Sequence, residues 1–254
     1  VLGIKREETS EKIMSSPHQF RDHMNVGLEL IIVALTLLPF LALVFFYSSL
    51  PEHVPEYLNL NGDVAVWGRK SVFSAFRLPL MALDLQILCL LMKYGIWQGI
   101  ANRNAEDREP SATYRKDSFK LSLNLWDWFR AFIAIKLGAS SIETIFYTIE
   151  RFHSLTIVTR ITSWAASILG IAGAAFYGYP LLTVNRKLKE AGGSFRIPRE
   201  ISRQNSRGIF YYNPDDPSWF SDRYSPNFAN KWVYLFLACL LCLPVLMFLP
   251  MLNA

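Results

Sequence analysis

Val26-Gly27-Leu28-Glu29-Leu30-Ile31-Ile32-Val33-Ala34-Leu35-Thr36-Leu37-Leu38-Pro39-Phe40-Leu41-Ala42-Leu43-Val44-Phe45-Phe46-Tyr47 carries no charge after Glu29. A helix of about 20 apolar residues rises far enough to cross a hydrocarbon core of about 30 Å. Four further blocks follow, near residues 78–100, 128–148, 161–184 and 232–252. Charges gather between them. Over the 254 residues, 52% are apolar and 19% charged, below the one quarter or so usual for a soluble domain. The fold class this predicts is an all-α membrane protein with about five transmembrane helices, because only helices satisfy the backbone of such blocks in lipid.

The blocks divide the chain. Residues 1–25 form a polar amino-terminal segment, and 26–100 hold two spans joined by a loop at 50–77. A charged loop occupies 101–127, two spans lie in 128–184, a polar segment covers 185–230, and 231–254 contain the fifth span. No cleavable leader is expected in the amino-terminal segment, since the first apolar run is too long for one.

Basic residues orient these spans. With the amino terminus in the cytoplasm, the inner segments hold four, five and nine Lys plus Arg, and the outer ones three, two and none. Eighteen against five is a strong positive-inside bias, so the carboxyl terminus is expected outside. The third span, burdened by Arg130, Lys136 and Glu143, gains support from this bias. Without it, the nine-charge segment would fall outside. Topology thus accounts for the net charge of +5, and no nucleic-acid partner is implied. Trp67, Trp97, Trp126, Trp128 and Trp232 lie near span boundaries, as an aromatic belt requires.

Inside the membrane, Lys136, Ser140, Glu143 and Tyr147 recur at helical spacing and line one face. Such a stripe must face other helices or a wet cavity. A helical rise places Asp84 and Glu143 both roughly 7 to 8 Å below the outer edge, and Lys93 and Lys136 both roughly 18 to 21 Å down. Two readings follow. Asp84 and Glu143 could share a proton or cation; or the four charges pair within the bundle, with Lys93 snorkelling toward the inner surface.

Ala166, Gly170, Ala174 and Gly178 supply small residues at every fourth position, a strip for close helix packing. Cys239 and Cys242 have CxxC spacing but lie in an apolar block without further ligands nearby. His18 and His23 meet no metal spacing. His53, with Glu52, Glu56 and Asp63 near it, and His153 are both expected outside, where a metal site is conceivable but two distant histidines are weak evidence for one. No hydrolase, nucleotide or dinucleotide motif is present. The expectation is a protein without metal, cofactor or catalytic residues.

Two loops carry a resemblance. The first runs Leu50-Pro51-Glu52-His53-Val54-Pro55-Glu56-Tyr57-Leu58-Asn59-Leu60-Asn61-Gly62, then Val66-Trp67-Gly68-Arg69-Lys70. Its prolines set extended backbone and Asn61-Gly62 a tight turn, which predicts a short hairpin over the outer surface. Leu50, Pro51, Val54, Pro55, Asn59, Gly62, Trp67, Gly68 and Lys70 match the pattern of a bacterial domain of unknown function that opens the immunity proteins against a sporulation-delaying toxin. Tyr57 stands where that family usually has His, and Ala65 where it often has Asp. The second stretch, Gly208-Ile209-Phe210-Tyr211-Tyr212-Asn213-Pro214-Asp215-Asp216-Pro217 with Asn227-Phe228-Ala229-Asn230, resembles another uncharacterised bacterial domain that often follows the first. Its Asn-Pro-Asp-Asp-Pro is a turn by itself, predicting a small cap beneath the inner surface.

The resemblance implies a multi-pass protein of the bacterial cytoplasmic membrane, in lipid contact, with a protein partner or a second copy. It places ligand or partner contacts at Pro51, Pro55, Asn59, Gly62, Trp67 and Lys70, and a relay at Tyr212, Asn213, Pro214, Asp215, Asp216 and Asn227. An immunity or sensor role leads. An accessory subunit of a membrane complex and an ion-coupled transporter using Asp84 and Glu143 are the alternatives.

Overall fold

A computed structural model describes residue 20 and residues 24–58, 64–101, 111–149, 153–191, 206–207, 210–214, 219 and 226–252. Five helices dominate it: α1 (Val26–Phe46), α2 (Val72–Ala101), α3 (Ser111–Thr148), α4 (His153–Glu190) and α5 (Lys231–Leu252). Between α1 and α2 come a 3-10 turn (Tyr47–Ser49) and the strands β1 (His53–Leu58) and β2 (Val64–Arg69). The short strands β3 (Ser206–Arg207) and β4 (Phe210–Tyr211) precede α5.

Among the described residues, three stretches are long and apolar enough to cross a membrane: Val26–Ser49, Val72–Gln98 and Ile157–Glu190. Helix α5, Lys231–Leu252, is apolar beyond Lys231 but is described in full only over Lys231–Met247, and α3 is too polar to qualify by composition. The chain therefore has the character of a helical membrane protein, with three spans that hydropathy alone supports.

Helices outrun the apolar blocks. Residues 111–127, expected as part of a charged loop, form the first turns of α3, and α4 starts at His153 rather than near Ile161. Hydropathy registers only the segment that lipid would solvate. The backbone ladder continues through polar residues of good helix propensity on either side.

The ends are capped by side chains. Asn25 accepts a hydrogen bond from the Leu28 amide at 3.1 Å and starts α1. Ser71 and Ser74 exchange bonds, each hydroxyl accepting from the other's backbone N–H at 2.9 Å, a reciprocal cap on α2. Within the helices, Thr36, Ser141, Thr144 and Thr148 donate back to carbonyls four residues earlier, so their hydroxyls need no outside partner.

Helix α3 is the centre: α1, α2 and α4 all pack along it, and α5 lies on the far side of α2. Cross-helix pairs give the directions. Gln86 meets Arg130 and Lys93 meets Asp127, so α2 and α3 are antiparallel. Glu143 meets Arg160 while Ser118 meets Asn185, so α3 and α4 are antiparallel too. Glu29 reaches Arg130, and Leu43 and Ile145 share one apolar cluster, so α1 runs with α3.

The polarity is inverted relative to a soluble bundle. Phe45 of α1 is 78% exposed and Ile171 of α4 is 73% exposed, whereas Lys93, Arg77, Gln86 and Arg130 are buried. Surfaces of this kind suit lipid, which leaves polar groups to find partners inside.

Candidate functional site

Three places combine polar chemistry with defined geometry: the hairpin, the buried charges and the cap.

Strands β1 and β2 pair antiparallel, with Val54 opposite Gly68 and Pro55 opposite Trp67, and the ladder shifts register on either side of Tyr57. A proline beside a bulge suits a two-stranded ribbon, where one ladder bond is dispensable. Val54 and Pro55 are buried, Pro51 is exposed, and Trp67 is 51% exposed. Asn59 and Gly62 lie outside the described residues. Beneath the hairpin is a void of about 20 Å³ bordered by Leu50, Val54, Pro55, Ser74, Arg77 and Thr144, room for a water or two.

Lys70 does not point outward as a contact residue would. Its ammonium donates to the carbonyls of Leu50 at 2.7 Å and Ser48 at 3.5 Å, and sits 5.0 Å from the centre of the Tyr47 ring. A cation there satisfies carbonyls left open where the first helix ends, and so clamps the hairpin to that end. Trp67 is the large side chain that remains available.

The buried charges form two groups. In the first, Lys93 is 0% exposed and donates to both oxygens of Asp127 at 2.7 and 2.8 Å. One turn along α3, Arg130 makes a bidentate pair with Glu29, at 2.6 and 2.7 Å, and its Nη1 lies 3.7 Å from Asp127. Gln86 completes the set, its amide donating to the Arg130 carbonyl at 2.7 Å. Two cations meet two carboxylates across α1, α2 and α3. The cluster is neutral.

The second group follows the α3–α4 seam. Arg160 Nε donates to Glu143 at 2.9 Å, and Lys136 donates to the Ser163 hydroxyl at 2.6 Å with the Trp164 ring 5.9 Å away. Glu143 thus turns toward α4. Asp84 turns the opposite way, toward α5, where it lies beside the Cys239 thiol. The expected Asp84–Glu143 pair does not form. Equal depth says nothing of azimuth, and the two carboxylates face different neighbours. Lys93 is sealed inside by Asp127 and does not snorkel.

Glu29, Asp127 and Arg130 escaped the list of expected partners. Asp127 fell in a presumed loop, although its spacing of three from Arg130 already put both on one helix face.

Small residues of α4 divide. A Cβ on Gly170 would lie 2.5 Å from the Phe132 ring, and one on Gly173 would overlap the Trp128 indole. Ala166 is buried as well, Ala174 is only half-buried, and nothing lies within 4 Å of a Cβ on Gly178. Steps of four residues drift by about 40° each on a helix with 3.6 residues per turn. The strip therefore leaves α3 after Gly170, and Gly173 replaces Ala174 in the contact.

In the cap, the Asn227 carboxamide oxygen accepts from the Asn213 amide at 3.1 Å, and its nitrogen donates to the Asn213 carbonyl at 3.0 Å. Tyr211 is buried, and its carbonyl accepts from Phe228 N–H at 2.9 Å. Tyr212 and Pro214 face outward, whereas Asp215 and Asp216 lie outside the described residues. Trp219 seats the cap on α2: a Cβ on Gly95 would come within 2.9 Å of its ring, and its indole N–H donates to Gln98 at 2.8 Å. Glycine is needed there for the close approach of the indole. No motif or spacing singled out Trp219, Gly95 or Gln98.

Cys239 is buried, Cys242 exposed, and both are free thiols. Among the described residues no three His, Cys, Asp or Glu side chains gather as a metal site would require. No protein-family model, curated protein or solved structure matches the chain.

Proposed function

We propose that the chain is a five-span protein of the bacterial cytoplasmic membrane, amino terminus inside, that binds a ligand or toxin at its outer hairpin and relays occupancy to a cytoplasmic partner through its cap. One observation carries this reading. Strand β2 leads through the Ser71–Ser74 cap directly into α2, and Trp219 of the cap rests on the other end of the same helix at Gly95 and Gln98. A rigid helix between a recognition loop and an inner module is a route for a signal. The loop resemblance, the positive-inside bias and the alternating helix directions support the orientation.

Accessibility labelling in intact cells tests the topology: cysteines placed at Pro51 and Tyr212 should react from opposite sides of the membrane. A photo-crosslinker in place of Trp67 tests recognition. An adduct with an external peptide, together with altered protease sensitivity around Trp219, supports the reading. Absence of both removes it.

Membership of a larger membrane complex is the second reading, favoured because α4 packs extensively along α3 alone and presents the rest of its circumference. The transport reading loses its motivation with the Asp84–Glu143 pair.

A further inference from the structure

One cation level with the middle of the first span has, among the described residues, no carboxylate beside it. Among the described residues, Lys93, Arg130 and Arg160 all have acidic partners, but Lys136 has only the Ser163 hydroxyl and carbonyl and the face of Trp164. Gly138, two residues on, packs against Leu35 and Pro39 in the middle of α1. Lys136 therefore lies near the midpoint of the first span, where water cannot stabilise an ammonium.

Its flank is open. Lys136 is half-buried, Trp164 is 53% exposed, and Arg160, Trp164, Ser167 and Ile171 occupy one side of α4 at helical spacing. Glu143 and Arg160 form an ion pair, so among the described residues the charge this flank leaves without a counter-ion is that of Lys136. Hydrocarbon chains cannot balance it. A helix carrying a carboxylate at matching depth can, and it would also cover Trp164 and Ile171.

We infer that the α3–α4 flank around Lys136 docks the transmembrane helix of another membrane protein through an Asp or Glu near that helix's midpoint. A second copy of this chain fits poorly, since Asp84 faces α5 and Glu143 is taken by Arg160. The inference names the partner's chemistry for the complex-subunit reading and rests on that reading.

The test uses the purified full chain in lipid vesicles with labelled polyleucine helices bearing a central Glu, Gln or Leu. Energy transfer should show the Glu helix associating about tenfold more tightly than the Leu helix. Lys136→Met should erase that preference and Lys136→Arg keep it, which separates charge pairing from loss of fold. Equal association of all three helices, or a preference unchanged in Lys136→Met, overturns the inference. In cells, a photo-crosslinker at Trp164 should yield an adduct with a distinct integral membrane protein, lost in Lys136→Met. An adduct equally abundant in Lys136→Met leaves the complex-subunit reading standing and overturns the role of Lys136. Adducts with lipid alone, or with the chain itself, overturn both.

Discussion

The Lys93–Asp127–Arg130–Glu29 cluster and the Glu143–Arg160 and Lys136–Ser163 contacts lie on the same helix, yet they solve opposite problems. The first is closed: four charges from three helices cancel, each within hydrogen-bond reach of another. The second lies on a seam between two helices, with Arg160 37% exposed and, among the described residues, one cation without a carboxylate. A charge sealed inside must be matched by its own chain, because nothing else can reach it. Beside an open flank, the match can come from elsewhere. Packing repeats the contrast, since Gly173 is fitted to Trp128 whereas Gly178 is fitted to nothing within the described chain.

The contrast is sharpest at Arg130. Arg130→Met takes that cation from the buried Asp127 and the partly buried Glu29, and the folded state should lose about 3 kcal/mol. Denaturant titration in detergent micelles reads the loss, and a change under about 1 kcal/mol would mean the cluster is hydrated or absent. Gly173→Ala comes next. Its methyl group must displace the Trp128 indole, at about 1 to 3 kcal/mol in the same titration.

Glu143→Gln should cost less, about 1 kcal/mol, because Arg160 is partly exposed and keeps a hydrogen-bond acceptor. A loss equal to that of Arg130→Met would show that the seam is as closed as the cluster. Smallest of all, Gly178→Ala should move stability by no more than about 0.5 kcal/mol and should favour the helix. Any marked loss in that variant, measured in the chain by itself, would place a neighbour where the structure has open space.

Much of the architecture could be read from the residues, although unevenly. The Val26–Tyr47 block needed no context: its apolar run and its helix coincide to within a residue. Residues 111–127 needed context, because a charged stretch reads as a loop until the helix that continues through it is seen. The hairpin was legible from its prolines and alternating apolar residues. The role of Lys70 was not, since a lysine in a loop looks available until the carbonyls of Ser48 and Leu50 are placed beside it. Trp219 gave no signal at all; its importance lies in Gly95, more than a hundred residues away.

What the amino-acid order determined alone was the solvent. Transfer to lipid is additive along a segment, so the apolar blocks and the bias of basic residues follow from local counting. What only the tertiary structure decided was which charges meet. That depends on the azimuth at which each helix presents its residues and on which helix stands opposite, and Asp84 and Glu143, alike in depth, face different neighbours for that reason.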